Sequence, residues 1–81
     1  MVPFCYVYIL ISSGDRTYVG CTNDLKARLT RHKSGFVPAT KDLRPIRLIT
    51  YFAFKDRYKA FKFEKYLKSG SGRAFLKRHL I

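Results

Sequence analysis

Acidic residues are scarce in this sequence. Five Asp and Glu residues stand against 17 Lys and Arg residues in a chain of 81, so the formal net charge is +12. A surface with this imbalance repels itself, and it makes physical sense when a polyanion neutralises it. The composition therefore favours a nucleic acid as the partner, with an anionic membrane surface as the second candidate.

Cysteines and long apolar segments are also few. Cys5 and Cys21 are the two cysteines, and they allow at most one disulfide. They cannot build a four-ligand zinc site, because the two histidines do not have the spacing of a zinc finger. The apolar run 2–11 is shorter than the roughly 20 residues of a membrane span. It also lacks the basic segment and the cleavage site of a secretory signal. We therefore expect a protein of the reducing cytoplasm that does not enter the membrane.

Aromatic residues, by contrast, are abundant. The chain has seven Phe and six Tyr, and each large ring buries about 150–250 Å². The length suits one hydrophobic core, and no internal repeat or Pro/Gly linker divides it. We expect a single domain over residues 1–81.

Hydrophobic periodicity predicts an α+β fold with a small three-stranded antiparallel sheet and about three helices, in the order ββαβαα. The first two strands form a hairpin across the turn 12–15. The first helix is expected between the capping oxygens of 22–24 and Gly35. The predicted elements are strands at 4–11, 17–21 and 48–54, a loop at 36–47, and helices that end near 35, 69 and 80.

The two later helices carry specific expectations. The second helix begins at Asp56 or Arg57, and the third runs from Arg73 to Leu80 with Ser71 as its cap. Helical spacing predicts one apolar face of the second helix, formed by Ala60, Phe61, Phe63 and Leu67.

Arg28 and His32 are polar residues on an apolar helical stripe, because they share i, i+3, i+4 and i+7 spacing with Leu25 and Leu29. Burying a charge beside a core costs several kcal/mol unless a partner compensates it. One interpretation is a cationic pair that faces a phosphate. The other is that Arg28 extends to solvent and His32 caps the helix end.

Glu64 is the single Glu of the chain and lies on the apolar side of its predicted helix, between Phe61 and Leu67. It can pair with Lys68 one turn later. It can equally serve as a Mg²⁺ ligand, since Mg²⁺ often takes one or two protein carboxylates and completes its shell with water and phosphate.

Three tyrosines, Tyr6, Tyr8 and Tyr18, lie on the predicted hairpin. Aromatic cross-strand pairing is the simpler interpretation. The alternative is that phenol groups orient or deprotonate a water that attacks phosphorus, which requires nearby positive charge to lower a pKa of about 10.

Together these segments resemble the GIY-YIG nuclease superfamily, in particular its small single-domain bacterial members. The resemblance extends from about Tyr6 to Leu80. The matching segments are Tyr6-Val7-Tyr8, Tyr18-Val19-Gly20, the stretch 20–25, Arg28-Leu29, His32, 63–68 and 70–76.

The resemblance implies a metal-dependent DNA endonuclease with one Mg²⁺ or Mn²⁺ ion, acting on single-stranded or branched DNA in repair or recombination. It further implies that Tyr8 and Tyr18 are active-site phenols and that Arg28 stabilises the transition-state phosphate. By the same resemblance His32 positions water or phosphate and Glu64 holds the metal. Tyr6 and Asn23, which lie in the matching segments, are assigned to positioning the substrate.

The surplus of basic residues predicts a surface that follows the nucleic-acid backbone. The resemblance to the nuclease family favours DNA over RNA as that nucleic acid. A solvated face that keeps the protein soluble is the alternative. The residues predicted to bind nucleic acid are Arg31, Lys62, Lys65, Lys68 and Arg73. The sequence identifies no protein partner.

A second function class also fits this sequence. Position 21 is Cys, whereas some nucleases of the family that this sequence resembles carry there a Lys that tunes the basicity of the tyrosine. Other members have an Asn after the metal-binding helix, and this sequence has none between Ser69 and Ile81. These departures favour a nucleic-acid-binding module that keeps the fold and has weak or no catalysis. Glu64 on an apolar face argues against it.

Overall fold

A hairpin of two antiparallel strands begins the computed structural model, which describes residues 4–81. Strand β1 spans Cys5–Ser12 and β2 spans Thr17–Thr22. Asp15 adopts a φ of 61° in the turn between them, a left-handed conformation that Asp tolerates better than most residues. The predicted hairpin is confirmed, and its register places Tyr8 opposite Gly20.

The third strand completes the predicted antiparallel sheet. Strand β3 spans Ile46–Phe54 and pairs with the free edge of β1, so the strand order is β2-β1-β3. The strand starts earlier than the predicted residue 48, because Ile46 still finds a pairing partner in Ser12 at the far end of β1. The preceding loop contains a short 3₁₀ turn at Lys41–Leu43.

The two faces of β1 carry different layers, as its alternation of apolar and aromatic residues predicts. Val7 and Ile9 belong to the main hydrophobic core. Helices α2 (Arg57–Lys68) and α3 (Gly70–His79) cover that face. Tyr8 and Leu10 point to the opposite face, where helix α1 (Leu25–Lys33) lies. In residues 4–81 no helix is both long enough and apolar enough to span a bilayer.

Helix α1 begins and ends where the sequence predicts. The carboxylate of Asp24 accepts a hydrogen bond from the Ala27 N–H at 3.1 Å, which satisfies one of the free donors of the first turn. The helix stops before Gly35, whose φ of +82° suits glycine.

The predicted start of α3 is wrong. The helix begins at Gly70, and its cap is Ser69 rather than Ser71. The Ser69 hydroxyl accepts from the Gly72 N–H at 3.2 Å, while the Ser69 N–H donates to the Tyr66 carbonyl and closes α2. One residue thus ends one helix and caps the next. Gly72 lies so close to the Tyr66 carbonyl that a Cβ there would overlap it.

The predicted apolar face of α2 is wrong at one position. Ala60 and Leu67 are buried, and Phe63 packs edge-to-face on Phe52 with ring centroids 4.8 Å apart. Phe61, however, is 47% exposed. At about 100° per residue it falls beyond the edge of the stripe that faces the sheet.

Candidate active site

Gly20 provides the space for the ring of Tyr8. A Cβ at position 20 would lie 2.4 Å from both the Cζ and the hydroxyl oxygen of Tyr8. The Tyr8 ring therefore lies directly against the backbone of the edge strand β2. Only a glycine in β2 permits this approach.

The hydroxyl of Tyr8 contacts His32, which helix α1 brings to the sheet. Tyr8 Oη lies 2.8 Å from His32 Nε2, and His32 Nδ1 lies 2.7 Å from Thr40 Oγ1. All three residues are fully buried. The interpretation that His32 caps the end of the helix is therefore wrong, because both ring nitrogens have side-chain partners inside the protein. Burial lowers the pKa of His32, and the charge of Arg28 lowers it further, so the imidazole is neutral near pH 7.

Thr40 also belongs to this arrangement, although it was not among the predicted site residues. It lies in the irregular loop between α1 and β3. No periodicity or motif spacing distinguishes a threonine in such a loop, so the pattern of the sequence carries no signal for it.

Three ionisable side chains, Tyr18, Arg28 and Glu64, act on the Tyr8 phenol. Burial raises the pKa of Tyr8 well above its ordinary value, and the neighbouring Tyr18 phenol and Glu64 carboxylate raise it further. The Arg28 guanidinium acts in the opposite direction by charge and by hydrogen bonding. Tyr8 is therefore a neutral phenol at physiological pH. Its pKa responds to Tyr18, Arg28 and Glu64 because the fold brings all three close to it.

Tyr18 is the more accessible of the two phenols. It is half-buried, whereas Tyr8 is fully buried. Its ring centroid lies 6.3 Å from that of Tyr8 and 5.2 Å from that of His32. Of the two phenols, Tyr18 is therefore the one within reach of solvent.

Glu64 pairs with Lys68 on α2. Lys68 Nζ donates to Glu64 Oε2 at 3.0 Å, so the i,i+4 interaction that the sequence suggested is present. The carboxylate side is the more protected, with the side chain of Glu64 23% exposed and that of Lys68 51%.

The donor set of this region suits a hard cation that needs few protein ligands. No group of three Asp, Glu, His or Cys side chains that could enclose a metal occurs within residues 4–81. Glu64 is the carboxylate whose charge acts on Tyr8. A single carboxylate fits Mg²⁺ or Mn²⁺, which keep waters and accept phosphate oxygens, and does not fit a zinc centre.

Cys21 adds no charge to the site. Its Sγ lies 3.0 Å from that of Cys5, and both cysteines are free. Burial and the hydrogen bond with Cys5 raise the pKa of Cys21 to about 12, with the Glu64 carboxylate contributing in the same direction. Position 21 therefore carries a neutral thiol.

Tyr6 and Asn23 line a different cavity, of about 410 Å³, together with Lys26 and Tyr51. The Tyr6 and Tyr51 rings meet edge-to-face with centroids 5.9 Å apart. The structure does not place these two predicted positions around the Tyr8 hydroxyl.

The predicted nucleic-acid-binding residues divide into two groups. Lys68 and Arg73 line a cavity of about 530 Å³ between the hairpin and α3, which we call the hairpin–α3 groove. Arg31, Lys62 and Lys65 are exposed and are not among the residues that line it. Arg16 and Lys77 do line it, and so does Tyr18. Arg16 was not predicted, since an isolated basic residue in a turn shows no pattern.

Comparison with known proteins assigns the family. The profile of the GIY-YIG catalytic domain matches residues 4–78. A UPF0213 protein of Cupriavidus necator is 36% identical over 74 residues, which cover 86% of this chain and 80% of that protein. A UPF0213 protein of Lacticaseibacillus paracasei is 34% identical over 64 residues, covering 78% of this chain and 72% of its own length.

A solved structure shows the same fold. The solution NMR structure of a UPF0213 protein from Bacillus halodurans superimposes with a TM-score of 0.58 at 31% identity, covering 93% of this chain and 83% of that one. The active-site geometry, the sequence profile and this structural likeness agree. The chain belongs to the GIY-YIG family of nuclease domains and shares its fold with bacterial UPF0213 proteins.

Proposed function

We propose that this protein is a metal-dependent endonuclease that hydrolyses phosphodiester bonds in DNA, on single-stranded or branched substrates that arise in repair and recombination. The observation that carries this proposal is the convergence of two phenols, a guanidinium and a carboxylate at the β2 edge of the sheet. A module that only binds nucleic acid has no need for such a set. We further propose that the whole reaction takes place in one domain.

Each residue has a distinct part in the proposed reaction. Tyr18, the accessible phenol, orients the attacking water through its oxygen. Tyr8 and His32, which are hydrogen-bonded to each other, pack behind the Tyr18 ring and fix its position. Arg28 stabilises the negative charge that develops on the phosphate in the transition state.

Glu64 would hold one Mg²⁺ or Mn²⁺ ion. When bound, the ion supplies Lewis-acid polarisation of the phosphate oxygens. Lys68 both pairs with Glu64 and lines the hairpin–α3 groove, so it links the carboxylate to the surface where the substrate strand lies.

The hairpin–α3 groove is the surface that we propose for the DNA backbone next to the scissile phosphate. Arg16, Lys68, Arg73 and Lys77 line it, against the single acidic residue Asp15. Apolar side chains and the Tyr18 ring complete the lining. A basic groove with an aromatic ring at one end is typical of sites for single-stranded nucleic acid. Arg31, Lys62 and Lys65 remain predicted contacts outside this groove.

A substrate panel tests the proposed function. Labelled single-stranded, duplex and branched DNA and matched RNA are incubated with Mg²⁺, with Mn²⁺ and with chelator. We expect metal-dependent cleavage of DNA that Glu64→Gln abolishes, while Lys41→Ala, an exposed lysine outside the site, leaves it unchanged. Cleavage that persists in Glu64→Gln or in chelator contradicts the proposal.

A binding module without catalysis is the second candidate, and two observations favour it. Cys21 is a neutral thiol, and Glu64 already has a cationic partner in Lys68. This candidate predicts salt-dependent binding of the same DNAs with no cleavage under any metal. The panel therefore separates the two functions directly.

A further inference from the structure

A cavity of about 410 Å³ lies between the first half of α1 and strands β1 and β3. Tyr6 and Tyr51 line it on the side of the sheet, and two leucines of α1 line it on the side of the helix. Tyr6 is half-buried, and Tyr51 is 50% exposed. The volume is within the range of about 300–1,000 Å³ that is typical of sites for small organic ligands, which are mostly apolar with a few polar groups.

We infer that this cavity binds one base of a single-stranded DNA, close to the scissile phosphate. In this arrangement the base stacks on a tyrosine ring, and Asn23 makes hydrogen bonds to the edge of the base. That the bound strand is the one the protein cleaves rests on the function proposed above, whereas binding of the base requires no cleavage.

The charge of the cavity suits a base rather than a phosphate. Among residues 4–81, its charged lining residues are Lys26 and Asp24, and their charges cancel, although the net charge of the protein is +12. Four basic side chains and one acidic side chain, by contrast, line the hairpin–α3 groove. A phosphate is attracted to the basic groove, while an uncharged aromatic ring loses nothing in a neutral, aromatic cavity. The protein therefore offers separate surfaces to the two parts of a nucleotide.

The two tyrosines leave an aromatic face available for stacking. Their ring centroids lie 5.9 Å apart at an interplanar angle of 68°. In such an edge-to-face pair, the ring that contributes its edge keeps its faces uncovered by the other ring. A base can stack on that face, and this interaction tolerates any base. Asn23 is exposed at the same cavity, and its side-chain amide offers both a donor and an acceptor.

The cavity is adjacent to the candidate active site. Tyr6 precedes Tyr8 by two positions on β1 and therefore lies on the same face of the sheet. Tyr51 is the register partner of Tyr8 on β3, and directly opposed residues have Cβ atoms about 4.5–5.5 Å apart. A base in the cavity thus belongs to a nucleotide close to the phosphate at the candidate site.

Binding of DNA with and without bases tests this inference in chelator, where no cleavage is needed. The probes are a short labelled thymidine oligonucleotide and a strand of the same length in which every nucleotide is abasic. We expect Tyr51→Ala to lower the affinity for the thymidine strand about 5–150-fold, the range for one lost base stack. Its affinity for the abasic strand and the salt dependence should be unchanged, since both strands carry the same phosphates. Tyr51→Phe should bind as the wild type does.

Tyr58→Ala is the matched control, because Tyr58 is 75% exposed and is not among the residues that line the cavity. Asn23→Ala, at an exposed position, should weaken binding of the thymidine strand alone. Equal affinity of the wild-type protein for the two strands overturns the inference, even if Tyr51→Ala does not fold. An unchanged affinity in folded Tyr51→Ala also overturns it, as does an equal loss on both strands, which would show that Tyr51 only supports the sheet. A loss in Tyr58→Ala equal to that in Tyr51→Ala would likewise exclude a defined base site.

The result for the cavity is separate from the result for the proposed function. If the wild-type protein cleaves no substrate but binds the thymidine strand through Tyr51, the proposed nuclease function fails and the base site stands. If the protein cleaves DNA and Tyr51→Ala binds it normally, the nuclease function stands and the base site fails.

Discussion

His32 and Arg28 lie one turn apart on the stripe of α1 that also carries Leu29, yet their surroundings differ. His32 is fully buried between Tyr8 and Thr40, and Arg28 is half-buried. The histidine keeps its place through hydrogen bonds at both ring nitrogens. Arg28 instead acts on the Tyr8 phenol, whose pKa its guanidinium lowers. The buried histidine is tolerated on an apolar stripe because both of its ring nitrogens have hydrogen-bond partners, and the arginine because it is only half-buried.

Arg28 is the residue whose loss should be most visible in catalysis. Arg28→Ala is expected to lower kcat about 10²–10³-fold, the scale of a lost charge-stabilising donor. Arg28→Lys should recover only part of it, because a lysine cannot reproduce the guanidinium fork. Single-turnover cleavage is the measurement, with Lys33→Ala on the exposed side of the same helix as the control. An equal decrease of kcat in Lys33→Ala and Arg28→Ala would mean that Arg28 acts only through the general positive charge of the protein.

The lowered pKa of His32 predicts a pH dependence of stability. The unfolded chain binds a proton near pH 6.5, and the folded protein binds it at lower pH. The contribution of the neutral buried His32 is therefore fully present above about pH 6.5 and is lost as pH falls toward the folded pKa. The free energy of unfolding should decrease on acidification below pH 6.5, by up to about 1.4 kcal/mol per pH unit.

Urea unfolding between pH 7.5 and 5.0 measures this dependence. His79→Gln should keep it, because His79 is exposed. A flat stability over this range in His79→Gln would show that His32 titrates equally in the folded and unfolded states.

Strand β2 contributes two features to the candidate site, the Tyr18 side chain and the absence of a side chain at Gly20. Gly20 allows the Tyr8 ring to lie against the strand backbone, and the neighbouring residues Val19 and Cys21 face the other side, toward the main core. The edge strand thus serves the core with one face and the active site with the other.

Gly20→Ala tests this arrangement. The added methyl group would overlap the Tyr8 ring and hydroxyl, so we expect a loss of about 1–3 kcal/mol in unfolding free energy, typical of overpacking, together with a loss of cleavage. Gly14→Ala is the matched control in the same hairpin, since its Cβ meets only Ser12 Oγ at 3.9 Å. Chemical denaturation and cleavage assays of both variants decide the point. A fully stable Gly20→Ala would mean that Tyr8 is free to move aside.

The helix boundaries show which features local residue types can predict and which they cannot. The cap of α1 at Asp24 and its end before Gly35 follow from residue types alone. The boundary between α2 and α3 does not follow from residue types, because Ser69 and Ser71 are both good caps by residue type. The close packing of Gly72 on Tyr66 selects Ser69, and that contact exists only when the two helices are folded against each other.

On the scale of the whole molecule, the fold determines where the basic side chains behind the net charge of +12 are located. Four basic residues surround the hairpin–α3 groove, which shares Tyr18 with the active site. Under the proposed function, a phosphate backbone bound in this groove reaches the candidate site at Tyr18. The charge count alone does not distinguish this groove from the rest of the basic surface.

Salt dependence of DNA binding measures how many phosphates the groove contacts. In chelator, the slope of log affinity against log salt for single-stranded DNA should fall by about 0.7 for each lost contact in Arg16→Ala and Lys77→Ala. Lys33→Ala and Lys41→Ala are exposed controls outside the groove and should change it less. Equal changes in all four variants would indicate a diffuse electrostatic surface without a defined path.

The order of strands and helices, the antiparallel sheet and the candidate residues Tyr8, Tyr18, Arg28, His32 and Glu64 could be predicted from the sequence. Alternation, capping residues and motif spacing are local properties, and they are legible without knowing how the chain folds. The predicted convergence of these residues is supported by the way they act on the pKa of Tyr8. Their individual roles in catalysis stay predictions.

The contacts that join distant segments were not predictable in this way. Tyr8 and His32 are 24 positions apart and meet at 2.8 Å, and Thr40 reaches the far side of the same ring from an irregular loop. Arg16 and Arg73 line one groove from opposite ends of the chain. Local sequence pattern specifies what each segment becomes, because propensity and periodicity act over a few residues. Hydrogen-bond partners, burial and the arrangement of basic side chains along a groove depend on which segments pack together. That packing is a property of the folded chain alone.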